Sequence, residues 1–477
     1  MAKKDLSVDW QEYYKSHLVS IEEAAKAIQP GDVIYMGQAT NIPYAFLDYL
    51  YEHKEEYHDV TFWYNVFNYP ANMIFDHDTK EHFRLLNIYN LPVDRMGIDE
   101  HTVEVLGAGY DSYTWCMWEY GVNTSALQIC PPDANGYCNV GCYGVTTNST
   151  TNLDPRIVKK FGFIDATGVY PAPGPLDDNF IHITEFDYII SNDTEMMALP
   201  IPQPTAMDEI VASYILPYIR EGDKVQIGFG GLGEAILANL AKLPGSFEVF
   251  SEVLCDSMMP LVESGKITRI RASSPGACTE ECFQWLATTQ HDVRLYPRTT
   301  CIEMLSTMEQ ENIVAINATF MVDLLGQACS EAQGLKPYTG MGGSFAYIYG
   351  AQRAKGGRSF ICLRSTYVDS SCGETKSNIV PWLPEGSIVS MLKNYVMFVV
   401  SEYGLADVYL KSYVDRIKAL IKIAHPDFRQ WLKDQILTTP LIEEWDFRDY
   451  DMNDYTPAPP RQPNTVVPTR EYNFPKP

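Results

Sequence analysis

The sequence has no long hydrophobic run, since no stretch approaches the roughly 18 apolar residues that a membrane-spanning helix needs. The opening segment MAKKDLSVDWQEYYKSHL also has no apolar core of the kind found in signal peptides. The eleven cysteines are odd in number and nothing indicates secretion, which fits free thiols in a reducing compartment. We therefore predict a cytoplasmic protein that does not enter a membrane.

Basic residues are also scarce. The chain has 36 lysines and arginines against 61 aspartates and glutamates, which gives a net charge of −25. This balance argues against a nucleic acid partner, because such partners are bound through their phosphates. A small anionic ligand is compatible with it, because helix amino-termini and glycine-loop amides hold phosphates locally.

The sequence has no strong metal-binding pattern. Cys138 with Cys142 and Cys278 with Cys282 form CxxxC pairs, but neither pair has the usual two-residue spacing or a histidine within a few residues. Buried thiols are ordinary core residues. We therefore predict no metal site and no tightly bound cofactor.

An internal repeat is the most informative feature that is present. Residues 20–50 and 206–240 share one plan, with a helix, a Gly-Asp turn, a short strand that ends in glycine, a loop and another helix. Aligning Gly31 with Gly222 also aligns the aspartate that follows each glycine. A chain of 477 residues is too long for one ordinary core, so we predict two related open α/β domains.

Proline-rich stretches divide the chain. Pro200, Pro202 and Pro204 forbid regular helix and indicate a linker. After about residue 436 the sequence becomes acidic and aromatic, and then proline-rich. We expect this arm either to be loose or to contact a neighbouring subunit in a homo-oligomer, a dimer or tetramer. The predicted division is an amino-terminal domain over 1–200, a carboxyl-terminal domain over 201–436 and an extended arm over 437–477.

The segment VQIGFGGLGEAILANL, residues 225–240, has the spacing GxGxxG between a strand-like and a helix-like run. Dinucleotide-binding loops have this spacing, with an acidic residue about 20 positions on that holds a ribose. Glu252 meets that condition at the carboxyl end of the next predicted strand, FEVFSEVL. One hypothesis is therefore a nicotinamide-dependent oxidoreductase, and another is a tight turn that needs small residues.

A second glycine-rich loop, YTGMGGSFAYIYGAQRAKGGRS, covers residues 338–359 and suggests different chemistry. Main-chain N–H groups from two such loops can converge on one oxygen, as in an oxyanion hole. Glu252 would then attack an acyl carbonyl and carry the product covalently. A carboxylate with an ordinary pKa is already ionised at pH 7, so no base would be needed.

Five motifs, in order across residues 206–434, resemble the family I coenzyme A transferases of the acetyl-CoA hydrolase/transferase branch. That branch contains 4-hydroxybutyrate, butyryl and succinyl:acetate CoA-transferases. The motifs are GDKVQIGFGGLGEAILANL, SEVLCDSMMPLVESGKITR, AINATFMVDLLGQACSEAQG, GMGGSFAYIYGAQRAKGGRS and FVVSEYGLADVYLKS with AHPDFRQWL. The resemblance implies that the two α/β domains have the fold of this family. It also implies an enzyme that exchanges CoA between a short-chain acyl-CoA and a free carboxylate, acetate being one of them.

The resemblance also implies a role for each matching residue. Glu252 stands where the family carries its catalytic glutamate, which forms an acyl-glutamyl anhydride and then a glutamyl-CoA thioester in ping-pong kinetics. The main-chain N–H groups of Phe229 and of Gly342 or Gly343 would form the oxyanion hole.

Coenzyme A contacts are implied for both glycine loops and for two basic residues that follow the second loop. Gln38 aligns with Phe229 in the repeat, and we predict that it faces the acyl pocket from the first half. The implied coenzyme A contacts are Gly228, Phe229, Gly230, Gly231, Leu232, Gly342, Gly343, Lys355 and Arg358.

The chain departs from the family pattern after the second glycine loop. Where the family has GGQxD, the residues after Gly343 are Ser344, Phe345 and Ala346. These positions surround the coenzyme A and acyl pockets. The missing glutamine and aspartate suggest one alternative, a protein that binds CoA without turnover. A second alternative is an acyl-CoA hydrolase on the same fold, since hydrolysis differs from transfer only in whether water or a carboxylate takes the acyl group.

Overall fold

The computed structural model of the chain describes residues 8–192, 201–276 and 278–455. Two large β-sheets with helices packed on them form its two halves. This arrangement confirms the predicted α/β class with two related open sheets. The predicted boundary near residue 200 falls in 193–200, outside the described residues, and the division into domains stays a prediction.

The strands are numbered in chain order. They are β1 Val33–Gln38, β2 Val60–Asn65, β3 Phe83–Asn87, β4 Val103–Val105, β5 Thr124–Ile129, β6 Tyr137–Asn139, β7 Lys159–Ile164, β8 Phe180–His182, β9 Tyr188–Ser191, β10 Lys224–Ile227, β11 Phe247–Leu254, β12 Ile267–Pro275, β13 Val293–Leu295, β14 Ile313–Ala318, β15 Met321–Asp323, β16 Ala328–Cys329, β17 Ala332–Gln333, β18 Lys336–Pro337, β19 Arg358–Cys362, β20 Thr366–Val368, β21 Thr375–Ser377, β22 Ile379–Val380, β23 Phe398–Ser401 and β24 Gly404–Asp407.

The α-helices are numbered in the same way. They are α1 Trp10–His17, α2 Ile21–Ala25, α3 Tyr44–Glu52, α4 Asn72–Phe75, α5 Pro92–Asp99, α6 Tyr113–Glu119, α7 Gly141–Gly144, α8 Leu176–Asn179, α9 Ala206–Ile215, α10 Gly231–Leu240, α11 Met258–Glu263, α12 Glu280–Thr288, α13 Arg298–Cys301, α14 Met304–Met308, α15 Ser344–Arg353, α16 Tyr413–Lys422 and α17 Pro426–Ile436. Within the described ranges, none of them is both long and apolar enough to cross a bilayer.

Both sheets follow one winding. The first has the strand order β4-β3-β2-β1-β5-β7-β9, and all of its pairs are parallel. The second has the order β13-β12-β11-β10-β14-β19-β23-β24, in which only the final pair is antiparallel. In each sheet the chain leaves the central strand in one direction and later continues on its other side. Ligands bind at the carboxyl ends of strands beside such a reversal.

The repeat also includes an ion pair at the amino ends of the strands in each half, and the pair in the second half is buried. Asp32 precedes β1 and pairs with Lys159, the first residue of β7, at 2.6 Å. Asp223 precedes β10 and pairs with Arg358, the first residue of β19, also at 2.6 Å. The same ion pair therefore fastens the same two strands in each half.

The first glycine loop differs slightly from its prediction. The sequence predicts a helix from about Glu234 to Lys242. In the structure the strand ends at Ile227 and the helix α10 begins at Gly231, three residues earlier. Gly230 caps this helix with a φ of 139°, a conformation that favours glycine. A Cβ on Gly233 would lie 2.7 Å from the carbonyl oxygen of Gly228. Close contact between helix and strand therefore explains part of the GxGxxG spacing without a nucleotide.

The beginning of the predicted arm packs on the second half. The Tyr455 hydroxyl donates to the carbonyl oxygen of Leu405 at 3.1 Å and accepts from the N–H of Leu405 at 2.6 Å. Phe447 is buried in the same core as the helices α16 and α17. Residues 437–455 are thus part of the folded body, and residues 456–477 lie outside the described ranges.

We expect the substitution Arg358→Met to lower the free energy of unfolding by about 3 kcal/mol, because it leaves Asp223 buried without its cation. Urea denaturation measures this change. Lys355→Met is the matched control, since its pair with Glu311 is exposed and is worth less than about 1 kcal/mol. Equal stability of the two variants would contradict a structural role for Arg358.

Candidate active site

The carboxyl ends of the two sheets meet at one cavity. It has a volume of about 160 Å³. Its lining includes residues at or just after the ends of β1 to β4, namely Gln38, Val66, Tyr89 and Tyr110. From the second half it includes residues at or near the ends of β10 to β14, namely Phe229, Glu252, Ser274, Arg298 and Asn317. The cavity therefore lies at the topological reversal of the second sheet, as expected for a ligand site in an open α/β fold.

Glu252 lies on β11, two residues before the strand ends, and lines this cavity. Its Oε2 accepts a hydrogen bond from the main-chain N–H of Gly343 at 3.0 Å. A Cβ at Gly343 would collide with this same oxygen and with Ile302. Glycine is therefore required at this position for the loop to approach the carboxylate.

The surroundings of Glu252 change its protonation. Burial raises the pKa of Glu252 to about 7, while the charge of Arg298 and the N–H of Gly343 act in the opposite direction. This corrects the expectation of an ordinary pKa, because a carboxylate in this cavity is only partly ionised at pH 7. The side chain nevertheless remains accessible from the cavity.

The first half contributes a buried amide network. Gln38 lines the cavity, and its Oε1 accepts a hydrogen bond from Asn65 at 3.1 Å. Its contact with the acyl group stays a prediction. Asn65 also donates to the Tyr110 hydroxyl at 2.8 Å. The main-chain N–H of Tyr110 donates to the carbonyl oxygen of Gly342 at 2.9 Å. The network thus connects the first half directly to the loop that contacts Glu252.

Asn65 occupies the place in the first half that Glu252 occupies in the second. The parallel register sets Thr61 beside Val33 and Glu248 beside Lys224, two positions that the repeat aligns. Asn65 and Glu252 each follow four residues later. The duplicated fold therefore has a neutral amide at one of these positions and a carboxylate at the other.

Arg298 is a cavity residue that nothing in the sequence pattern singles out. It follows β13, is 3% exposed, and its Nη2 donates to Oε1 of Gln38 at 3.0 Å. The guanidinium carbon lies 4.1 Å from the ring centre of Tyr110 and 3.9 Å from that of Tyr113. The only signal in the sequence is that this arginine follows a predicted strand. An arginine at such a position is hard to distinguish from a surface residue.

Asn317 is a second such residue, at the end of β14. Its Nδ2 donates to Oε1 of Gln226 at 2.8 Å, and it lines the cavity beside the first glycine loop.

The predicted coenzyme A residues are not all brought together. The residues at the cavity are Gly228, Phe229, Gly342 and Gly343. Gly230, Gly231 and Leu232 continue into α10 and do not line it.

Lys355 and Arg358 lie at the opposite edge of the second sheet. Lys355 lies between α15 and the start of β19, where it pairs with Glu311, and Arg358 is the buried partner of Asp223. The expectation that either residue holds coenzyme A at this site therefore has no geometric support. The physical reason is that a residue after a helix returns to the amino ends of parallel strands.

One group of possible metal ligands forms near the second CxxxC pair. Ligand atoms of Asp256, Cys278 and Cys282 lie within 4.8 Å of one another. Both oxygens of Asp256 already accept hydrogen bonds from Thr279, the amino-terminal cap of α12, at 2.8 and 2.9 Å. This use of the carboxylate fits a helix cap, and the absence of a metal site stays a prediction.

Comparison of the sequence with known proteins identifies relatives of this chain. The sequence model described as "Acetyl-CoA hydrolase/transferase C-terminal domain" matches residues 278–436. The 4-hydroxybutyrate coenzyme A transferase of Clostridium kluyveri is 28% identical over 90% of this chain and 99% of its own length. The butyryl-CoA:acetate CoA-transferase of Anaerostipes caccae is 26% identical over 90% of this chain and 97% of its own. The chain belongs to the acetyl-CoA hydrolase/transferase family.

Solved structures agree with this CoA-transferase assignment at the level of the fold. RipA from Yersinia pestis superposes with a TM-score of 0.81 at 22% identity, over 91% of this chain and 100% of its own. The 4-hydroxybutyrate CoA-transferase of Porphyromonas gingivalis has a TM-score of 0.71 at 22% identity, over 90% and 100% of the two chains.

Of the two departures from GGQxD, Ser344 in place of glutamine and Ala346 in place of aspartate, only Ser344 lines the cavity of this CoA-transferase. Its hydroxyl donates to the carbonyl oxygen of Met341 at 2.9 Å and helps to close the second glycine loop. Phe345, at the variable position of that motif, packs against Tyr349 and Tyr395. The glycine loop therefore keeps its contact with Glu252 despite these departures.

We expect acylation of the enzyme by acetyl-CoA to speed up as the pH rises, with a midpoint near the Glu252 pKa of about 7. Only the ionised carboxylate is a nucleophile, so the single-turnover rate should be about tenfold higher at pH 8 than at pH 6. Rapid-quench measurement of acetate released from labelled acetyl-CoA gives this rate. A flat profile over that range would contradict a raised pKa at Glu252.

Proposed function

We propose that this CoA-transferase exchanges CoA between a short-chain acyl-CoA and a free carboxylate, acetate being one, with Glu252 as the nucleophile. The observation that supports it best is the hydrogen bond from the Gly343 N–H to Glu252 Oε2 inside a shared cavity. A donor fixed on the carboxylate can stabilise negative charge that develops on the same oxygen.

The reaction proceeds in two exchanges. A Glu252 oxygen attacks the acyl carbonyl and the C–S bond breaks. The CoA thiolate is the leaving group, and the product on the enzyme is an acyl-glutamyl anhydride. The thiolate then attacks the Glu252 carbonyl, which releases the first carboxylate and forms a glutamyl-CoA thioester. A second carboxylate then attacks the glutamyl-CoA thioester, which forms a new anhydride and frees the thiolate. The thiolate attacks the new acyl carbonyl, so the second acid departs as its CoA thioester and Glu252 is regenerated. Because the enzyme is modified between substrates, ping-pong kinetics follow.

Two different carbonyls become oxyanions in this sequence. One belongs to the acyl group and the other to Glu252 itself. The Gly343 N–H already contacts a Glu252 oxygen, so it serves the second oxyanion. Phe229 lines the cavity at the first glycine loop, and we assign its N–H to the acyl carbonyl.

The size of the cavity favours small acids. Its volume of about 160 Å³ is below the roughly 300–1,000 Å³ typical of pockets for drug-sized ligands. The relatives named above act on 4-hydroxybutyrate and on butyryl-CoA with acetate, which fits this limit. The carboxylic acids named for these relatives support transfer to an acid rather than to water.

Trapping the thioester tests the proposal. The protein is mixed with acetyl-CoA, treated with borohydride and digested, and its peptides are weighed. Borohydride reduces a glutamyl thioester to an alcohol, so we expect a mass loss confined to the peptide with Glu252 and dependent on acetyl-CoA. Glu252→Gln should abolish both this loss and turnover.

Glu248→Gln is the matched control, because Glu248 lies on the same strand outside the cavity and contacts Arg269. It should keep both the mass loss and the activity. An unchanged Glu252 peptide in the wild-type protein would overturn the covalent mechanism. Release of CoA without any added acid, at the full rate, would favour the hydrolase.

A further inference from the structure

The cavity contains one positive and one negative side chain. Among the described residues that line it, Glu252 and Arg298 are the only charged ones. Within the described part of the chain, no carboxylate lies within ion-pair distance of Arg298, although its charge acts on Glu252. The negative charge of Glu252 therefore balances the positive charge of the guanidinium, although the two groups do not form an ion pair.

The guanidinium is also short of hydrogen-bond partners. Its Nη2 donates to Gln38, whereas Nε and Nη1 have no partner. The rings of Tyr110 and Tyr113 lie against it and fix its plane. A buried cation with unused donors is costly unless an anion comes within reach.

That balance is lost during the proposed reaction. When Glu252 becomes an anhydride or a thioester, its carboxylate charge disappears. Arg298 is then the only charge left among the described lining residues. At that stage a free carboxylate is required as the attacking group, and it would restore the missing negative charge.

We propose that Arg298 binds the free carboxylate substrate once Glu252 carries CoA, so that the cavity holds one carboxylate charge at a time. This inference rests on the proposed function and names its acceptor class. A planar guanidinium suits a carboxylate, because it can donate two N–H groups to one acid. The acceptor that fits is a monoanion, since a second carboxylate would enter without a cation.

The wild-type protein gives the first test. With acetyl-CoA as donor, kcat/KM is compared for succinate and for monomethyl succinate, which has nearly the same shape and one charge fewer. We expect monomethyl succinate to be preferred by about tenfold or more, because the extra carboxylate is desolvated without a partner. Equal use of the two acids, or a preference for succinate, would overturn the inference.

A variant gives the second test. The thioester form is prepared with excess acetyl-CoA, freed of small molecules and mixed with acetate at increasing concentrations. In Arg298→Met the half-saturating acetate concentration should rise about tenfold or more, through loss of a charge-assisted hydrogen bond. Arg298→Lys, which keeps the charge, should recover part of this loss, and added guanidinium should do the same in Arg298→Ala.

Controls separate the two proposals. Arg294→Met removes an arginine from the neighbouring strand β13 that donates to main-chain carbonyl oxygens, and it should leave acetate saturation unchanged. Failure of the wild type to form a thioester would count against the proposed function. A thioester whose acetate saturation is the same in Arg298→Met and wild type would count against Arg298. If that variant does not fold, the comparison of the two succinates decides.

Discussion

The carboxyl ends of two parallel sheets face each other across one small cavity, and the rest of the site depends on this constraint. Parallel strands deliver every following loop to the same edge, so residues far apart in sequence meet there. Glu252, Gly343 and Arg298 come from three such loops or strand ends. A buried carboxylate is stable at that point only because an N–H group and a cation arrive with it.

Much of the fold could be predicted, because the turn residues, helix caps and repeated pattern of the sequence agree with the final architecture. The Gly-Asp turns precede the central strand of each half. The sequence pattern of Ser20 with Glu23 is that of a capping box, and the structure has that box at the start of α2. Element ends were less predictable. The helix α10 begins three residues early because Gly230 can adopt the capping conformation, a choice made by backbone geometry rather than by hydrophobic pattern.

Site residues could be predicted only where a continuous stretch of sequence, such as a strand and the loop after it, shows a recognisable spacing. Glu252 and the two glycine loops are recognisable because spacing along the chain fixes their place at a strand end. Arg298 and Asn65 are not recognisable in this way. Arg298 becomes significant through Gln38 of the other half, and Asn65 through Gln38 on the neighbouring strand and Tyr110 of a later loop. Lys355 and Arg358 show the opposite error, because the helix between them and the glycine loop carries them to the other edge of the sheet.

The equivalence of Asn65 and Glu252 has an evolutionary consequence. Two copies of one fold face the same cavity, and the position that carries Glu252, the proposed nucleophile, in one copy carries an amide in the other. A second acid there would repel the first and compete for the same cation. With the chemistry confined to one copy, the other can accept mutations that reshape the acid pocket. A duplicated fold of this kind can change which acids it accepts while its reaction stays the same.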